Sequence, residues 1–127
     1  MHRERPAGSI QKPPAIMSMY SDPNDLKTFG QITEWQEEMG SKFFDYYGNV
    51  TSGDSALTER EKKLIGLAVA HTLKCSYCIE AYSKDALKSG ADEEQMMEAV
   101  QVAAAIAAGS VLVYARQMQN HVDKVSM

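Results

Sequence analysis

The sequence predicts an all-α protein, a bundle of about six helices, from three observations. Apolar side chains recur at three- and four-residue steps along most of the chain. Two capping-box patterns, Thr58-Glu59-Arg60-Glu61 and Asp92-Glu93-Glu94-Gln95, each stand at the head of such a run. No segment alternates with the two-residue period of a half-buried strand. At 127 residues the chain is long enough for one core and short enough to need only one.

Residues 1–18 read as a flexible N-terminal arm. Pro6, Gly8, Pro13 and Pro14, with few large apolar groups, offer too little burial to offset the entropy of ordering. Met17 or Met19 can equally serve as the start. Residues 19–127 read as a single helical domain. Ser21-Asp22-Pro23 suits a helix start, with proline near the first helical position, and a short helix is expected near 24–31. A longer one follows over 33–49, weakened in its middle by Gly40. On it Trp35, Met39, Phe43, Tyr46 and Tyr47 fall along one face, a stripe assigned to the core, with an oligomer contact as the alternative. Gly48-Asn49 and Ser52-Gly53-Asp54 supply the turn beyond it.

Thr58 and Glu61 then open a helix over 59–73, where Leu64, Leu67, Ala68, His71 and Thr72 share a face that carries His71 inward. The next helix, over 76–89, keeps its period through Ile79, Tyr82, Ala86 and Leu87, and Gly90 is placed as its left-handed cap. Asp92 and Gln95 open a helix that runs to Ala108. Its stretch from Val102 to Ala108 is apolar nearly all round and is expected at the centre of the bundle. Gly109-Ser110 is expected to interrupt the pattern. Val111, Tyr114, Ala115, Met118 and Val122 then give a last amphipathic helix.

The net charge of −4 hides an asymmetry, because residues 1–16 carry three basic side chains against one acidic and the remainder therefore holds −6. An acidic body argues against nucleic acid and anionic membrane as partners. No stretch reads as the roughly 20 apolar residues of a membrane span, and no secretory apolar run opens the chain. A cytoplasmic location is expected. In reducing cytosol a close cysteine pair is read as redox-active or metal-binding before it is read as a staple.

That pair is Cys75-Ser76-Tyr77-Cys78, the only two cysteines, with His71 four residues before it and Tyr82 four after. At the start of the 76–89 helix, nearby thiols face unpaired amides and the positive end of the helix dipole, which favour thiolate. Thiolate attacks peroxide or disulfide, and a second thiol at this spacing captures the sulfenic acid before overoxidation. The candidate catalytic residues are therefore Cys75, Cys78, His71 as proton acceptor for a thiol, and Tyr82 as hydrogen-bond donor to sulfur or bound oxygen. Gln101 is a polar break in an apolar helix and a lesser pocket candidate. A zinc site would have only His71, Cys75 and Cys78, one short of a closed tetrahedral set, so no metal is assigned. No phosphate-binding glycine loop or serine triad is present, and no cofactor is expected. The competing reading is a non-catalytic, oligomeric binding protein whose thiol pair holds a soft ligand such as trivalent arsenic.

Leu57-Thr58, the run Glu61-Lys62-Lys63-Leu64-Ile65-Gly66-Leu67-Ala68-Val69-Ala70-His71, the cysteine pair and Gly90-Ala91 together resemble the carboxymuconolactone decarboxylase family. The pair itself resembles the alkylhydroperoxidase-D-like branch. Cys78-Ile79-Glu80-Ala81-Tyr82 and Gln95-Met96-Met97-Glu98-Ala99 are most similar to peroxidase-like proteins associated with arsenosugar biosynthesis. The resemblance implies an all-helical fold assembling as trimers or hexamers. It also implies a thiol peroxidase or disulfide reductase, with Cys78 meeting a hydroperoxide, Cys75 resolving it and a dithiol partner returning the electrons. Lactone decarboxylation, also implied by the family, gives the cysteines no role. The branch has a proton relay of a glutamate twelve residues before the first cysteine and a histidine four after the second. Here those positions are Lys63 and Tyr82.

Overall fold

The computed structural model describes residues 22–127. The arm over 1–18, His2 and the alternative start methionines Met17 and Met19 lie outside the described residues. The chain divides into two units, residues 1–32 and 33–127. In the described part of the first, Asp22 Oδ1 accepts the Asn24 amide at 2.8 Å, and a 3₁₀ segment, Leu26–Gln31, stands where a short helix is expected.

The second unit opens with a 3₁₀ turn at Glu34–Gln36 that leads into α1, Glu37–Thr51. Gly40 weakens the helix by propensity, yet it is buried, and a Cβ there would overlap the Thr33 side chain. The missing side chain is what allows the preceding turn to lie against α1. The remaining helices are α2 (Glu59–Leu73), α3 (Ser76–Lys88), α4 (Glu93–Leu112) and α5 (Ala115–Val125). Among the described residues there is no strand; the second unit consists of five α-helices and one 3₁₀ turn.

Both capping boxes are formed. Thr58 Oγ1 accepts the Glu61 amide at 3.2 Å while Glu61 Oε1 accepts the Thr58 amide at 3.0 Å. Asp92 and Gln95 exchange the same two bonds at 2.7 and 3.1 Å. Each cap contributes about 1 kcal/mol and fixes where its helix begins. The bond from the Thr58 amide, then that from the Thr58 hydroxyl, holds the Glu61 carboxyl below the usual glutamate range. Lys74, in the left-handed region at φ 55°, ends α2, and Gly90 at φ 91° follows α3.

The helix at the centre is α2, which packs against both α3 and α4. Its buried positions are Lys63, Leu67 and Ala70, so the inward face is centred on Leu67 as the periodicity predicts. The face is rotated to include a lysine and to leave Thr72 exposed. The buried apolar set is small: Leu67, Ala70, Tyr82, Ala86 and Ala91.

Three expectations are corrected here. The aromatic stripe assigned to the core is largely outside: Trp35, which lies in the 3₁₀ turn before α1, is 97% exposed, and Met39, Phe43 and Tyr46 of α1 are exposed as well, with only Tyr47 half-buried. No residue of α4 is buried, so the alanine-rich run is a surface of the single chain and not its centre. Helical spacing fixes which residues share a face but not whether this chain supplies anything to cover it. Third, Gly109-Ser110 does not end α4, which continues to Leu112. A solitary glycine costs only about 1 kcal/mol, and Ser110 Oγ donates back to the Ala107 carbonyl at 2.6 Å.

The continuity of that stretch overturns a further reading. From Glu93 to Val125 the helical stretch is long and apolar enough, by length and composition, to cross a membrane. No charged side chain lies between Glu98 and Arg116, and the alanines that made the run look merely small add to its apolar length.

Candidate thiol site

The pair forms at the joint between α2 and α3. After the left-handed Lys74, the Cys75 amide donates to the Ala70 carbonyl at 3.0 Å, and the chain turns directly into α3. Cys75 is the N-cap residue of α3, with extended backbone at φ −90°, ψ 101°. Its Sγ takes the place a serine oxygen usually holds and accepts the Cys78 amide at 3.3 Å. The two cysteines are joined as a disulfide with Cα atoms 5.2 Å apart. Both residues are half-buried.

His71 lies in the last turn of α2, also half-buried. Its Nδ1 is 2.9 Å from the Leu67 carbonyl. A carbonyl only accepts, so Nδ1 carries the proton and Nε2 of the neutral ring keeps its lone pair. The imidazole is thus held in the tautomer a base needs.

Tyr82, one turn after Cys78 on α3, is 8% exposed. Its ring lies against Gly66 of α2, and a Cβ at Gly66 would come within 2.5 Å of two ring carbons. Its hydroxyl meets the Tyr47 hydroxyl of α1 at 2.6 Å. Burial, followed by the Tyr47 hydroxyl, pushes the Tyr82 phenol far above the usual tyrosine range, so it stays protonated. Gly66→Ala is expected to displace this ring and cost about 1–3 kcal/mol. Thermal denaturation checks it, and an unchanged midpoint would contradict the close approach.

Lys63, 6% exposed, is the buried cation of the bundle. Its Nζ donates to Ser52 Oγ at 3.3 Å, pairs with Asp85 Oδ2 at 3.7 Å and lies 5.8 Å from the Tyr82 ring centroid. The two relay positions therefore come together in space but hold a paired cation and a neutral phenol. Of the residues singled out by sequence, Lys63 and Tyr82 meet each other. Tyr82 turns its hydroxyl to α1, and His71 turns Nδ1 to its own helix.

Tyr47, Ser52 and Asp85 were missed as members of this cluster. Tyr47 was read as core stripe and Ser52 as turn. The usable signal was indirect: a buried tyrosine and a buried lysine each need a partner. Gln101 is exposed on α4, and His121 is exposed on α5. Among the described residues no three His, Cys, Asp or Glu side chains gather as a metal-binding group.

The model of the family described as "Carboxymuconolactone decarboxylase family" matches residues 37–119, which run from α1 into the first turn of α5 and contain the whole site. The chain belongs to the carboxymuconolactone decarboxylase family. A Paracoccus denitrificans protein described as "Uncharacterized protein 4 in cox locus" is 42% identical over 76 residues, 60% of this chain and 68% of that one. A crystal structure of a protein from Methanobacterium thermoautotrophicum superposes with a TM-score of 0.62 at 35% identity, covering 67% of this chain and 94% of the other. Neither relative's description states an activity. Within the family, the pair at the head of α3 is compatible with thiol redox chemistry.

Proposed function

We propose that this family member is a thiol oxidoreductase that reduces a hydroperoxide by cycling Cys75 and Cys78 between dithiol and disulfide. The observation that carries the reading is the disulfide closed over the first turn of α3, with a backbone amide aimed at one of its sulfurs. In the reduced pair, a thiolate attacks the terminal peroxide oxygen; the S–O bond forms, the O–O bond breaks, and the alcohol leaves with a proton. The second thiol then displaces water from the sulfenic acid and forms the disulfide. An external dithiol returns two electrons and two protons by thiol–disulfide exchange. His71 Nε2 is the acceptor for a thiol proton.

The test is hydroperoxide consumption by the reduced protein with excess dithiol, followed together with disulfide formation. Consumption no faster than by the reductant alone would overturn the reading.

The proposal includes self-assembly. Leu67, Tyr82 and three alanines are too small a core for a helical unit of this length. Meanwhile Trp35 in the 3₁₀ turn, Met39 and Phe43 on α1, and Val102 and Ile106 on α4 stand exposed. Further copies of the chain would cover these faces, as in an obligate interface. Sedimentation velocity is expected to give a trimer or hexamer of the 14.0 kDa chain. A folded monomer at all concentrations would contradict it.

A further inference from the structure

The inference rests on the thiol redox reading and concerns the order of attack. We propose that Cys75 is the attacking thiolate and Cys78 the resolving thiol, the reverse of the order the family resemblance implies.

The two sulfurs are not equivalent. Cys75 Sγ is the N-cap acceptor of a 13-residue helix and receives the Cys78 amide. An amide donor and the positive end of the helix dipole both stabilise negative charge at that atom once the disulfide opens. Cys78 supplies that donor from its own backbone, one turn inside α3.

The groups that gather around Tyr82, one turn beyond Cys78 on α3, offer no general base. On α3 itself, Tyr82 keeps its proton because it is buried, and its hydroxyl is engaged by Tyr47. Asp85 is paired with Lys63. From α2, Lys63 is a cation held between Asp85 and Ser52. From α1 the hydroxyls of Tyr47 and Thr51 reach Tyr82. The other basic group of α2 near the joint is His71, whose free Nε2 lies in the last turn before Cys75. With lysine and tyrosine in place of the glutamate and histidine, the relay that the family resemblance assigns to Cys78 is absent. The means of activating Cys75 are built into the backbone.

The steps balance with Cys75 first. Cys75 thiolate, hydroperoxide and one proton give Cys75 sulfenic acid and an alcohol. Cys78 thiol then attacks the Cys75 sulfur, and its proton leaves with the displaced hydroxide as water. The Cys78 thiol therefore needs no low pKa of its own.

The experiment uses the full chain with Cys75→Ser and Cys78→Ser. Alkylation by iodoacetamide is followed against pH. Sulfenic acid is trapped with a 1,3-diketone nucleophile after one equivalent of hydroperoxide. Cys78→Ser, which keeps Cys75, is expected to alkylate about tenfold faster than Cys75→Ser near neutral pH, with a lower midpoint, and to yield the trapped adduct. Faster alkylation of Cys78 in Cys75→Ser, or equal rates, would overturn the proposal. Limited alkylation of the reduced wild-type protein, mapped by peptide mass, asks the same question without a substitution. Label on Cys75 supports the order and label on Cys78 refutes it. Absence of any trapped adduct would count against the hydroperoxide reading, while the alkylation order would still decide this one.

Discussion

Serine at either cysteine is expected to abolish multiple turnover with hydroperoxide and excess dithiol, by on the order of 10³-fold or more. The reason is the two-step cycle. Without the attacking sulfur no S–O bond forms. Without the resolving sulfur the sulfenic acid is stranded and proceeds to overoxidation. Because the two thiols act as one unit, the double variant is expected to be no slower than the slower single one. Steady-state consumption of hydroperoxide measures all three. A single variant retaining wild-type turnover would show that the disulfide is not an intermediate. Helix content by circular dichroism is expected to be unchanged in each. The chain direction at the joint is set by the Lys74 turn and by the Cys75 amide bonding to the Ala70 carbonyl. A serine at position 75 is itself a good N-cap.

Leu67→Ala is expected to produce the largest loss of stability of any single truncation among the described residues, roughly 2–5 kcal/mol. Leu67 is the largest side chain that is fully buried, at 2% exposure, and it sits on the helix against which α3 and α4 both pack. Removing its branched end leaves a cavity between helices whose other buried residues are two alanines, with no length to fill it, and Lys63 and Tyr82, which are held by their own partners. Denaturant unfolding at fixed protein concentration measures this, since assembly makes apparent stability concentration-dependent. For a unit of this size the midpoint is expected to fall by on the order of 10 °C or more. A loss under about 1 kcal/mol would mean that the core lies elsewhere, in the contacts between copies.

How much of this was legible depended on the range of the interaction. The all-helical class, both capping boxes and the joint at the cysteines were readable because each is set within a few residues. Thr58 and Glu61, Asp92 and Gln95, and Cys75 and Cys78 are all three apart. The site was half legible. Cys75 as a helix N-cap was foreseeable from the helix start, and so was His71 on the preceding turn. That Tyr82 would give its hydroxyl to Tyr47, thirty-five residues away, was not. Nor was the settling of Lys63 between Ser52 and Asp85. A buried polar group demands a partner, but sequence does not say which one topology will bring.

The exposed faces teach the same point from the other side. Met39 and Phe43 keep helical spacing on α1, and so do Val102 and Ile106 on α4, yet neither set is covered within the chain. The sequence by itself determined which residues face together, where the helices start and that two thiols meet at a helix head. These follow from backbone hydrogen bonding and a period of 3.6. Only the tertiary structure decided that α2 and not α4 is central, and that the relay positions hold a paired lysine and a buried phenol. It also decided that the amide at the head of α3 points to Cys75. Those outcomes depend on which helix faces meet, a choice set by packing and by the pairing of buried polar groups across distant segments.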